Sequence, residues 1–319
     1  MEPLRSKRSK VHPTYKTRYR ITNWAEYDRA LVRRGDLTLW FTASAIRSWT
    51  PLPTGLRGGQ RKYSDPCVEL ALTLKLLFGL PWRSVEGLLG SLFHFVGLEA
   101  PIPDHTTLSR RTRGLDVPLQ RPSTREPIHL VVDASGLGIF GQGQWAAAKW
   151  GKRGRRGWRK LHVAVDQGGN ILAVELTDAS VADATALPGL LDKVPNRVKR
   201  LTADGGYDRR EVYEAARRRG ARTVIPPRRD GVVTGIPVLS DRDAHIERIG
   251  EVGRRRWRLE AGQHHQSRAE NTFYRYKKRF GGRLSARNEE AQRNEVLTAC
   301  NILNKMSELG MPNSIALRG

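Results

Sequence analysis

Cysteine is almost missing from this chain. Among 319 residues there are two, Cys67 and Cys300, far apart and fitting no metal-ligand spacing. That excludes a zinc finger and a disulfide framework, and both read as small core residues in a reducing cytoplasm. Long apolar runs are missing too. None approaches the roughly 20 residues that span a bilayer. The opening stretch, MEPLRSKRSK, lacks the apolar core of a secretion signal. No membrane role is expected. Acid is the scarce charge: 32 Asp and Glu stand against 56 Lys and Arg, a net charge of +24. A field of that sign draws polyanions, and without a membrane segment a nucleic acid is the better partner than anionic lipid. No internal repeat or long low-complexity tract is present.

What is present suffices for a sizeable core and two domains, with 39% hydrophobic residues. The excess of base is spread along the chain: residues 1–125 carry +11 and the remainder +13. Both halves are expected to touch nucleic acid. Residues 1–20 read as a mobile basic arm.

The first half reads as helices. Residues 23–34 open with Asn23, a good cap, and are amphipathic. A Pro/Gly-rich loop follows at 51–61. DPCVELALTLKLLFG (65–79) begins with a cap at Asp65 and a first-turn proline, and its apolar content marks a buried helix. WRSVEGLLGSLFHFVG (82–97) places Val85, Leu88, Leu89, Leu92 and Phe93 at helical spacing. Asp104 then caps a short polar helix. Helix, turn and short helix resemble a helix-turn-helix offering Thr106, Thr107, Ser109, Arg110 and Arg111 to DNA. An ordinary hairpin with a solvated basic face fits the same residues. The Pro/Ser/Arg-rich stretch 114–127 reads as a linker, giving a helical, helix-turn-helix-like DNA-binding domain at 1–125 and a second domain at 126–319.

The second domain changes to short strands. IHLVVDASGLGIF (128–140) ends a β-branched run on Asp133 and resumes after Ser135-Gly136. Residues 160–177 read as two strands joined by the Asp166–Asn170 turn. Next come a helix at 183–194, a strand through 200–204 ending on Asp204, a helix at 208–220 and a strand at 221–227. Residues 228–265 read as an irregular polar insertion with a helix near 241–250. SRAENTFYRYKKRFGGRLSAR (267–287) is a basic helix with Glu270, Phe273, Tyr274 and Lys277 on one face. A last helix spans 288–310, with Val296, Leu297, Cys300, Leu303 and Met306 on one side.

Three strands, then helix, strand, helix, strand, helix is the order of a ribonuclease-H-like mixed sheet. In that fold the first strand lies beside the fourth, so Asp133 and Asp204 are expected on neighbouring strand ends. A later helix then brings in Glu270. Each of the three has a plainer reading, the aspartates as turn formers and the glutamate as a salt-bridge partner. Together, three close carboxylates repel unless cations lie between them. Oxygen ligands and a phosphate substrate point to Mg²⁺, with Mn²⁺ able to replace it. Asp166 sits in a turn, and Asp183 and Asp208 read as helix caps; with Asp178 they rank lower. His264 and His265 read as exposed. KWGKRGRRGWRK (149–160) has seven basic residues in twelve, with Trp150 and Trp158 interleaved. Arg153, Arg155, Arg156 and Arg159 would meet phosphates, and Trp158 could stack on a base.

VVDASGLGIFGQGQW, KRGRRGWRKLHVAVD, LTADGGYD and the stretch 267–313 together resemble the bacterial insertion-sequence DDE transposases, the insertion-sequence-five family in particular. The resemblance runs in order from residue 15 to 313. It implies Asp133, Asp204 and Glu270 as the catalytic, metal-holding triad. It implies cutting at terminal inverted repeats, joining of the freed 3′-hydroxyls to target DNA, a homodimer, and a nucleoid-associated place in the cytoplasm. Related transposases often carry a Tyr and an Arg before the Glu and a Lys seven residues after it. Lys277 fits the last position and is expected at DNA. Gln263 stands where the Tyr would be, and the nearest preceding arginine is Arg268, also a DNA candidate. A nuclease of the same fold that cuts without joining, and a non-catalytic DNA-binding descendant of a transposase, remain alternatives.

Overall fold

The computed structural model describes residues 18–53, 55, 57–122, 126–139 and 157–317, in two compact units. The first unit brings the ends of the chain together, 18–39 with 306–317. Strand β1 (Arg18–Ile21) pairs antiparallel with Ser314–Leu317. The sequence reads 1–20 as an arm. Residues 1–17 lie outside the described residues, and Arg18, Tyr19 and Arg20 are strand, because the backbone of 314–317 satisfies their hydrogen bonds. Asn23 holds the cap position of α1 (Trp24–Arg33) without a side-chain cap bond. Its amide instead donates to the Met311 carbonyl and accepts from the Asn313 N–H.

In the second unit (Trp40–Lys305) the helices begin and end where local chemistry dictates. α2 (Asp65–Phe78) is capped by Ser64, not Asp65: the Ser64 hydroxyl accepts the Cys67 N–H at 3.1 Å. Pro66 sits in the first turn, where a missing N–H costs nothing. Gly79, at φ +65°, closes the helix in the left-handed region. Cys67 is fully buried here, as Cys300 is in its own helix, and both are free thiols. α3 (Trp82–Phe95) buries Val85, Leu89 and Phe93. Asp104 caps α4 (His105–Arg111), taking the Thr106 and Thr107 N–H groups at 2.9 Å each.

The sheet carries the remaining elements. β2 (Ile128–Ile139), β3 (Trp158–Val165) and β4 (Ile171–Asp178) are antiparallel neighbours. After α5 (Asp183–Asp192), β5 (Val198–Thr202) pairs parallel with β2. After α6 (Arg210–Arg218), β6 (Arg222–Val224) pairs parallel with β5. The order β4-β3-β2-β5-β6 puts the first strand of the sheet beside the fourth, as the sequence order predicts. Leu130 and Val132 pack with Leu187, Leu190, Val212 and Tyr213 of the two helices.

Three segments differ from the sequence reading. The stretch 228–265 contains two helical segments, together α7 (Ser240–Glu260), broken at Gly253, whose φ of +77° suits only glycine. The Glu270 helix, α8 (Ser267–Phe280), stops before Gly281 rather than running to 287; Arg283–Leu284 then forms β7 on β2. The stretch 114–122 is no free linker. Asn294, Asn301 and Asn304 of α9 (Glu289–Leu309) donate to the carbonyls of Leu115, Pro118 and Gln120 at 2.7–2.9 Å.

Candidate active site

Asp133 lies in the middle of β2, not at a strand end. Ser135 and Gly136, which suggest a break, are held in strand by β3, whose register with β2 runs unbroken from Val131 to Gly138. On the opposite edge β5 pairs only as far as Val131, and β7 begins at Gly138. Asp133 occupies the gap, half-buried. Its carboxylate accepts the N–H of Ala134 at 2.8 Å. Burial pushes this carboxyl up to about 6; the Ala134 N–H opposes the rise, and the charges of Asp204, Glu270 and Asp183 add to it.

Two contacts set α8 against this gap. Gln266, just before the helix, donates from Nε2 to the Val132 carbonyl at 3.0 Å. Lys277 donates to the Ser135 hydroxyl at 2.6 Å. Glu270 lies four residues after the first anchor and seven before the second, so it shares their helical face. The expected Glu270, Phe273, Tyr274, Lys277 face divides: Phe273 is buried and Tyr274 is 61% exposed.

Asp204 stands two residues beyond β5. Its Oδ1 accepts the Gly206 N–H at 2.8 Å, opening a tight turn through Tyr207. Asp204 and Glu270 line one cleft of about 520 Å³, together with Arg228, Arg229, Arg254 and Arg258. Arg254 is engaged by the Pro227 and Arg228 carbonyls, both at 2.9 Å, and so fixes the loop that bears its neighbours. These arginines escape the sequence reading because they lie in a stretch without periodicity; charge density at 228–229 and 254–256 is their only signal.

All three carboxyls offer oxygen donors, and Asp133 has no ion-pair partner among the described residues, which suits a hard divalent ion. Among the described residues, however, no three Asp, Glu, His or Cys side chains are gathered closely enough to enclose one. Like charges keep such groups apart. Asp204 and Glu270 are both exposed.

The competing carboxylates are engaged elsewhere. Asp166 closes its turn through the Gly168 and Asn170 N–H groups. Asp178 pairs with Arg159, and Asp183 with Lys160 at 3.1 Å. Ala182, not Asp183, holds the cap position of α5. Asp208 does not cap α6 either; Arg209 holds that position. Asp208 is buried, accepting from the Tyr213 hydroxyl, the Arg228 N–H and the Arg242 guanidinium. His265 is half-buried rather than exposed, with its ring 5.0 Å from that of His129 and 4.4 Å from that of His264.

Of the expected DNA contacts, Arg110, Arg268 and Lys277 are exposed. The Thr106 and Thr107 hydroxyls bond to Asp104. Arg111 turns inward to the Tyr63 carbonyl and Asp65. Trp158 is 43% exposed. Arg159 ties β3 to Asp178, Gln292 and Glu289. Arg153, Arg155 and Arg156 lie outside the described residues. No helix among the described residues is long and apolar enough to cross a membrane.

Two family comparisons bear on this arrangement. A model described as a transposase DDE domain matches residues 124–305, more than half of the chain. A second with the same description matches residues 32–142.

Proposed function

We propose, because this chain belongs to the DDE transposases of insertion sequences, metal-dependent enzymes that cut and transfer DNA strands, that Asp133, Asp204 and Glu270 are its catalytic carboxylates. The reading is supported above all by the place of Asp133 in the gap between β5 and β7, a half-buried carboxyl raised first by burial and further by the charges of Asp204, Glu270 and Asp183. These residues would hold divalent ions, Mg²⁺ or in its place Mn²⁺. Such ions supply Lewis acidity that activates a water or a 3′-hydroxyl and stabilises the leaving oxygen of an in-line displacement. The arginines lining the cleft would hold phosphates on either side of the scissile one, and Lys277 would add charge beside Ser135.

In this reading the helical residues 1–125 recognise the terminal inverted repeats, and 126–319, a ribonuclease-H-like domain with its insertion at 228–265, cuts there and joins the 3′-hydroxyls to target DNA. Two ends brought together call for a homodimer, working on the nucleoid. The specific kinship is with the insertion-sequence-five family. Changing Glu270 to Gln keeps its shape and removes its charge. Strand joining should then fall below detection, while binding to end DNA persists. Full joining by E270Q sinks the site assignment. Wild-type protein that cleaves but cannot join pre-cut ends is a nuclease instead.

A further inference from the structure

Two cavities in the second unit share Pro81, Trp82, Ser109 and Arg113, and so form one continuous groove. The outer part, about 860 Å³, is lined by Arg83 at the start of α3 and Arg110 of α4. The inner part, about 790 Å³, is lined by Lys75, Arg283 and Arg287. Arg83, Arg110, Arg113, Arg283 and Arg287 are all exposed. Among the described residues one carboxylate lines it, Glu295, and it makes no ion pair with these arginines. Its oxygens accept the N–H groups of Ser285 and Ala286 and the Ser285 hydroxyl, at 2.8–3.1 Å. Lys75 lies 5.5 Å over the Trp82 ring and donates to Ser285. A groove with so many cations and a single, occupied acid is costly to maintain without an anion.

The groove ends on the helix that carries Glu270. Arg279, in its last turn, donates to the Leu77 carbonyl, which fixes α8 against α2. Nine residues separate Arg279 from Glu270, about 14 Å of helix, or about four base pairs of duplex.

We propose that this groove, from Arg83 and Arg110 through Arg113 to Arg283 and Arg287, is a sequence-independent track for the phosphate backbone of duplex DNA leading to the Glu270 helix. It rests on the DNA-cutting reading above, and extends it to residues with no part in the carboxylate site. A duplex engaged by α4 would thereby reach the carboxylates in a fixed register, because both ends of the track belong to one compact unit.

The test is the salt dependence of binding, measured without divalent ions on an arbitrary duplex of about 30 base pairs; each neutralised phosphate adds about 0.9 to the slope of log affinity against log salt. The double variant R283Q/R287Q should keep its thermal midpoint, since both side chains are exposed, and should lose about 2 from that slope. The control R217Q/R218Q, on the exposed end of α6, should keep the wild-type slope. An unchanged slope in R283Q/R287Q overturns the track, whatever E270Q does in strand joining. A reduced slope with E270Q still joining keeps the track and removes the carboxylate site. Tighter binding of single strands than of duplex, lost in Trp82→Ala, also overturns the proposal, since stacking would then hold the ligand.

Discussion

Asp133 shows how much stability a half-buried carboxylate can cost. Its half-buried carboxylate faces the charges of Asp204, Glu270 and Asp183, with one backbone N–H in compensation. Asp133→Asn removes that charge at constant shape. The ion-free protein should gain about 1 kcal/mol in urea unfolding, a figure reduced for partial solvent screening. Added Mg²⁺ should stabilise the wild type and leave the variant unmoved; equal stabilisation of both would place the ion elsewhere. His129 makes the opposite case. Burial, with His265, Arg200 and His264 nearby, holds its imidazole down to about 4. The unfolded chain takes up that proton near the ordinary value of about 6.5. Stability is therefore full above about 6.5 and is lost as the pH falls toward about 4. The melting midpoint should drop between these values. His129→Gln, able to keep a bond to the Thr202 hydroxyl, should flatten the drop; an identical pH profile for the variant would remove His129 as its source.

The asparagines of α9 show at the element scale what a sequence pattern hides. Asn301 donates to the Pro118 carbonyl and accepts the Gln120 N–H, both inside 3 Å. Asn301→Leu leaves both backbone groups unpaired, and unfolding in urea should show a loss of about 1–3 kcal/mol. A neutral result would mean that 114–122 is held by other contacts. The apolar side of this helix is legible from spacing, as are the hairpin at Asp166–Asn170 and the order of strands. The polar side is not, because asparagine signals turns and caps, and its partners here lie some 180 residues away. The helix Ser240–Glu260 is obscured by its charge, SDRDAHIERIGEVGRRRWRLE, and by Gly253 in its interior. The strand through Asp133 reads as two pieces because Ser135 and Gly136 are weak strand formers; pairing with β3 overrides that preference. Asp133, Asp204 and Glu270 stand out because each interrupts a run of another character. The arginines of the cleft lined by Asp204 and Glu270 do not, since arginine is everywhere in this chain.

Charge is the property of the whole molecule, and it opposes folding. A net +24 on 319 residues repels itself in the compact state more than in the unfolded chain. The ion pairs do little to offset this. Several join exposed neighbours on one helix, such as Arg210 with Glu214 and Arg256 with Glu260, where water and salt screen the attraction. Screening should therefore help more than it harms. Raising sodium chloride from about 0.1 to about 1 M shortens the Debye length from about 10 to about 3 Å. That weakens long-range repulsion across the surface before it touches the buried Asp208–Arg242 pair at 3.0 Å. The melting midpoint is expected to rise over this range, and to rise at low salt when duplex DNA is added, because DNA supplies the missing negative charge by binding the folded state. The two effects should not add, since salt that screens the protein also displaces the DNA. A midpoint that falls with salt in the free protein would show that attractive pairs outweigh the net repulsion, and that the excess of base is already balanced inside the fold rather than held for a polyanion.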